Sequence, residues 1–132
     1  METNAEFDPT GFIENFISDG VYLRVIHVQQ GKTIIGHVHT TNHLSVLLTG
    51  TMRISIGDEV KEFKAPYIFE ALAGSRKVGY AVTDCSVMNI LPTDITTVEE
   101  IPKFLEEVVD YSASKASMLP NIISKAKELK CP

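Results

Sequence analysis

The 132 residues contain two cysteines, Cys85 and Cys131. Their separation matches no disulfide framework, so both read as free thiols in a reducing compartment. Long apolar runs are absent as well. The stretch around Val46 to Leu48 falls far short of the roughly 20 residues a spanning helix needs, which excludes a helical membrane protein. No cluster of basic residues exceeds Arg76-Lys77 and the net charge is -5, so the electrostatic footprint of a nucleic-acid binder is missing. The opening METNAEFDPTGF has neither the basic start nor the apolar stretch of a secretory signal, and the expected location is cytoplasmic. There is no internal repeat and no low-complexity segment.

What is present suits one folded domain with a core that needs no staples. Hydrophobic residues make up 44% and charged residues 22%, both ordinary for a globular chain. Residues 1–20 form an N-terminal arm in which Phe12 and Phe16, four apart, allow a helical turn. After the Asp19-Gly20 turn, residues 21–92 read as a series of short β-strands. In Val21 to Gln29, Val21, Leu23, Val25 and His27 share one face and Tyr22, Arg24, Ile26 and Val28 the other. Further strands are expected over Thr33 to His39, His43 to Leu48, Met52 to Ile56, Val60 to Lys64, Pro66 to Ala73, Val78 to Val82 and Ser86 to Leu91. Many short strands separated by glycine turns indicate an antiparallel sandwich or barrel.

The pattern changes after Pro92, and residues 93–132 read as a helical extension. Thr97 and Glu100 have the form of a capping box, followed by Ile101, Leu105 and Val108 at helical spacing. Pro102 sits too deep for a regular helix beginning at Thr97, so the helix starts later or has a distorted first turn. A second helix is expected from about Pro120 to Lys130, with Ser112 to Ser117 between the two.

Chemistry concentrates between Gly31 and Gly50, in GKTIIGHVHTTNHLSVLLTG, which holds three of the four histidines. In a strand His37 and His39 point the same way, about 6.7 Å apart, and His43 follows a short polar break. Three neutral imidazoles suit iron or zinc, with nickel, manganese or copper also admissible as the divalent transition metal. The alternative is that three polar residues in a barrel mouth hold one another by hydrogen bonds. The remaining histidine, His27, reads as a satisfied core residue.

The same stretch resembles the first motif of the cupin superfamily, G-x5-H-x-H-x3-E-x6-G, with Gly31, His37, His39 and Gly50 in place and His43 where the family has glutamate. The second motif is partly kept: Gly74 aligns, Leu72 replaces a proline and Lys77 replaces the fourth ligand. The run APYIFEALAGSRKVGYAV is similar to small single-domain cupins of phage genomes. The resemblance implies a mainly β fold, the double-stranded β-helix or jelly-roll barrel, here with C-terminal helices. It also implies a metal site at His37, His39 and His43, and a homodimer formed through a sheet edge or the two-faced strand at Val21 to Val28.

Histidine in place of glutamate leaves a divalent site about +2 and favours an anionic small-molecule ligand. Lys77, if it points inward, needs compensation by Glu70, by an anionic substrate or by its own deprotonation; alternatively it snorkels to solvent. Tyr80 is a candidate proton donor, and Lys77, Glu70 and Tyr80 are together the candidate catalytic residues. Two functional classes stay open: a metal-dependent enzyme of dioxygenase or lyase/isomerase type, and a non-catalytic cupin that binds a small ligand or supports an assembly.

Overall fold

A computed structural model describes residues 12–36, 38–56, 59–75 and 77–109. Among them are nine strands and one α-helix: β1 (Phe12–Ser18), β2 (Val21–Val28), β3 (Thr33–Ile35), β4 (His43–Thr49), β5 (Thr51–Ile56), β6 (Glu59–Lys64), β7 (Tyr67–Ala71), β8 (Val78–Ala81), β9 (Cys85–Pro92) and α1 (Ile101–Val108). They form a five-stranded sheet in the order β1-β2-β9-β4-β7 and a four-stranded sheet in the order β3-β8-β5-β6. Every pairing is antiparallel. The expected mainly β, double-sheeted architecture is therefore present.

Strand parity decides what faces the interior. On β2 the inward set is Tyr22, Arg24, Ile26 and Val28; their partners on β9 are Leu91, Asn89, Val87 and Cys85. Val28, Cys85 and Val87 join Leu47, Met52, Ile54 and Ala81 in a buried cluster between the sheets. A second cluster unites Tyr22 and Leu91 with Ile101 and Phe104 of α1. The Tyr22 and Phe104 rings meet edge to face at 6.1 Å, an arrangement that aromatic quadrupoles favour. The helix is thereby fastened to one end of the five-stranded sheet.

Gly50 makes the β4–β5 turn with φ +86°, and a Cβ there would lie 2.2 Å from the Asp84 carbonyl oxygen. Only glycine fits both demands. Near this corner the β4–β9 register shifts between Leu47 and Thr49.

Several elements differ from the sequence-based expectation. Phe12–Ser18 is an edge strand paired with β2 and not a helical turn packed on the domain. A four-residue spacing is even, so it keeps two side chains on one face of a strand as well as of a helix, and the open edge of β2 decides the matter. β3 ends at Ile35, opposite Val78; Gly36 N then donates to the Lys77 carbonyl at 3.0 Å, and His39 lies outside the strand in an isolated bridge to Val109. β2 is flanked on both sides by β1 and β9, so it presents no edge to a partner.

Val98–Glu100 is a 3₁₀ turn, and α1 follows with Pro102 in its first turn. The Glu100 carboxylate accepts hydrogen bonds from the Thr97 N and Oγ1 at 3.2 and 3.0 Å. The tight turn absorbs the proline conflict. His27 lies on the outer face, where its ring nitrogens stand 2.7 Å from Ser86 Oγ and 2.7 Å from Glu14 Oε1. It is a hydrogen-bonded surface histidine and not a core one. The expected second helix, the segment before it and Cys131 lie outside the described residues.

Candidate functional site

A cavity of about 150 Å³ opens between the two sheets at the end nearest α1. Its apolar wall comes from both sheets, with Ile26, Ile34, Met52, Ile54, Phe69 and Leu91 prominent, and Leu105 and Val109 close it from the helix side. Its polar groups are Arg24, His39, His43, Ser45, Ser75, Lys77 and Asn89. No aspartate or glutamate is among the described residues that line it.

The histidine loop is tied down on two sides. Thr40 N donates to the Val108 carbonyl at 2.8 Å, and Gly74 N donates to the His39 carbonyl at 2.9 Å. Asn42 Oδ1 accepts from Ala73 N at 2.7 Å. The loop therefore spans from the end of α1 to the turn after β7, and it holds two rings together: the His39 and His43 centroids are 4.3 Å apart, tilted by 32°. His43 is 9% exposed, and its Nδ1 is buried without a hydrogen-bond partner among the described residues.

Burial pushes the His43 pKa down, and the positive charge of Lys77 pushes it further the same way. The Thr41 backbone and the Asn89 side chain lie close enough to offset part of this, although neither satisfies Nδ1. His43 is thus poised as a neutral imidazole, the state in which it can donate an electron pair to a metal. Among the described residues no group of three His, Cys, Asp or Glu side chains could hold a metal ion; His37, the third member of the expected set, lies outside them. His39 and His43 supply two donors whose chemistry fits a transition metal.

Lys77 does point inward. Its Nζ donates weakly to the Glu70 carbonyl oxygen at 3.5 Å and sits 5.6 Å from the centre of the Phe69 ring. Burial lowers its pKa, as expected for an ammonium withdrawn from water. Glu70 and Tyr80 are placed elsewhere. Glu70 pairs with Leu44, which is 48% exposed, so parity turns its carboxylate to the outer face, and only its backbone approaches Lys77. Tyr80 follows the inward Gly79 and faces out, where the Arg53 guanidinium lies 5.8 Å from its ring centre. Neither lines the cavity.

Two cavity residues, Arg24 and Asn89, went unassigned in the sequence. Across the inner face of the five-stranded sheet, Asn15, Arg24, Asn89, Ser45 and Phe69 stand in one register row. Ser45 Oγ donates to Asn89 Oδ1 at 2.7 Å. The Arg24 Nε is buried and has no hydrogen-bond partner among the described residues. A signal for Arg24 existed: it is the one charge in the stripe Tyr22, Arg24, Ile26, Val28.

No protein-family model matches the chain, and no curated protein sequence matches it. Solved structures do match. A cupin superfamily protein from Desulfitobacterium hafniense superposes with a TM-score of 0.51, 14% identity, and coverage of 64% of this chain and 80% of its own. A protein with a double-stranded β-helix domain from Klebsiella pneumoniae gives 0.53 at 17% identity, covering 67% and 83%. A variant of salicylate 1,2-dioxygenase from Pseudoaminobacter salicylatoxidans gives 0.55 at 10% identity over 73% of this chain but 28% of that larger one. At these identities the likeness concerns the fold, and the fold is that of the cupins.

Proposed function

We propose that this chain is a metal-binding cupin in which His37, His39 and His43 hold a divalent transition metal, iron or zinc before nickel, manganese or copper. We further propose that it is a metal-dependent enzyme acting on a small anionic molecule. The observation that carries the reading is the close His39–His43 pair, in which His43 is buried with an unsatisfied Nδ1, at a cavity lined by Arg24 and Lys77 and by no carboxylate among the described residues. Two cations facing a low-dielectric space call for an anion. Bound there, iron would supply oxygen chemistry of the dioxygenase type, and zinc an acidified water for a lyase or isomerase. The apolar walls limit the access of bulk water, the cationic lining draws in the anionic ligand, and Lys77 stands beside the histidines, where the reacting end of the ligand lies. Burial also makes Lys77 easier to deprotonate, which suits it to moving a proton.

A second reading, a non-catalytic small-ligand-binding cupin, draws support from the outward placement of Glu70 and Tyr80. That leaves the histidines and Lys77 as the acid–base groups of the described lining. Metal content followed by oxygen consumption on a panel of small acids separates the readings. Metal-dependent turnover supports an enzyme, whereas binding without turnover supports the alternative. We also propose a cytoplasmic homodimer. Leu44 and Ile68 on the outer face of the five-stranded sheet are 48% and 67% exposed, and light scattering that finds a monomer would refute the pairing.

A further inference from the structure

We infer that Arg24 is the carboxylate anchor of this cavity and that the ligand is a monocarboxylic acid with a compact apolar body of about six carbon atoms. The inference rests on the anionic-ligand part of the reading above and not on its metal.

The ion pairs among the described residues are His27–Glu14, Arg53–Glu62 and Lys61–Glu59; Arg24 takes part in none of them. Its Nε is shielded from water with no acceptor in reach among the described residues. The guanidinium carries a permanent positive charge, and its buried Nε–H is a donor without a partner among the described residues. Such a donor costs free energy unless a ligand satisfies it. Asn89, one strand over in register, has its amide oxygen engaged by Ser45 and its side chain hydrogen-bonded to His43, which leaves at least one of its two amide N–H donors for a ligand. Arginine and asparagine side by side match the two oxygens of a carboxylate.

The rest of the cavity sets the body of the ligand. Around this polar row the walls are Ile26, Ile34, Met52, Ile54, Phe69 and Val87. A carboxylate alone would leave them wetted. A cavity of about 150 Å³ matches an apolar cavity of similar size that accommodates benzene. An aromatic ring or a short chain therefore fits within it. Arg24 lies two strands across and two register positions along from His43. A ligand anchored on Arg24 thus directs its far end toward the histidines and Lys77.

The test is isothermal titration of benzoate and hexanoate, with benzamide and hexanol as uncharged counterparts. It is run on the full chain, both as purified and after dialysis against EDTA. The expected result is binding of at least one acid in both preparations and none of its neutral counterpart, with affinity reduced at least about tenfold in Arg24→Met. Arg24→Lys recovers part of the loss. No binding of either acid, equal binding of the neutral compounds, or an Arg24→Met variant that binds like the parent overturns the inference. So does loss of binding in Lys77→Met with Arg24→Met unaffected, which would assign the carboxylate to Lys77. Inorganic phosphate binding more tightly than both acids would overturn the apolar body. Carboxylate binding in a chain that takes up no metal defeats only the metal reading, whereas bound metal without carboxylate binding defeats only this one.

Discussion

Replacing Arg24 by methionine should stabilise the protein. Arginine at this site holds a charge against apolar walls and an Nε donor with no acceptor among the described residues. Leaving a buried polar group unsatisfied costs about 1–3 kcal/mol. Methionine keeps an unbranched stem of similar reach and adapts to irregular apolar space, so most of that cost is recovered. It also removes one of the two like charges in the cavity. The expected gain is about 1–2 kcal/mol in metal-free, ligand-free protein. With a urea m-value of about 1.5 kcal/mol/M for a chain of this size, the unfolding midpoint moves up by about 1 M at unchanged slope. A stabilising replacement at a binding residue marks a group kept for function. A fall of the midpoint by a similar amount would refute the reasoning, since it would make Arg24 a structural group whose interactions hold the sheet.

Other variants probe the remaining parts of the account. The His43 imidazole is held below its ordinary value of 6.5 in the folded chain, by burial first and Lys77 second. The unfolded chain therefore binds more protons once the pH drops below 6.5, and stability of the metal-free protein decreases as the pH falls from there through the folded value. Urea midpoints between pH 7.5 and 5 should show the decline, and His43→Gln should flatten it. Gly50→Ala combines a φ of +86° with a Cβ 2.2 Å from the Asp84 carbonyl oxygen; a loss of about 3–5 kcal/mol is expected, read as a thermal midpoint lowered by about 10–20 °C. Glu70→Gln and Tyr80→Phe alter side chains on outer faces and should leave ligand affinity within about twofold by titration, a change below about 0.5 kcal/mol.

Much of the fold was legible because the strand signals are local. Alternation in Val21 to Val28, the turns at Gly20, Gly31 and Gly50, and the change of pattern after Pro92 each follow from short-range backbone chemistry. What was not legible depends on partners distant in sequence. The early end of β3 is set by Val78 of β8, and the strand at Phe12–Ser18 by the free edge of β2. For the site, the histidine spacing was visible, and the structure brings His39 and His43 together. The outward direction of Glu70 and Tyr80 follows from parity within β7 and β8, which the sequence leaves undetermined until the pairings are known, and the inward direction of Lys77, just before β8, shows in its contacts with Phe69 and the Glu70 carbonyl. Arg24 was visible as a charge in an apolar stripe, but its meaning required the register row that sets it beside Asn89.

Elemental analysis of the tag-free protein, together with titration by iron and zinc, tests the central claim most directly. One equivalent of transition metal per chain is expected, and His39→Ala should abolish it while leaving the far-ultraviolet circular dichroism unchanged. A folded chain that is isolated without metal and takes up neither ion on titration would contradict it.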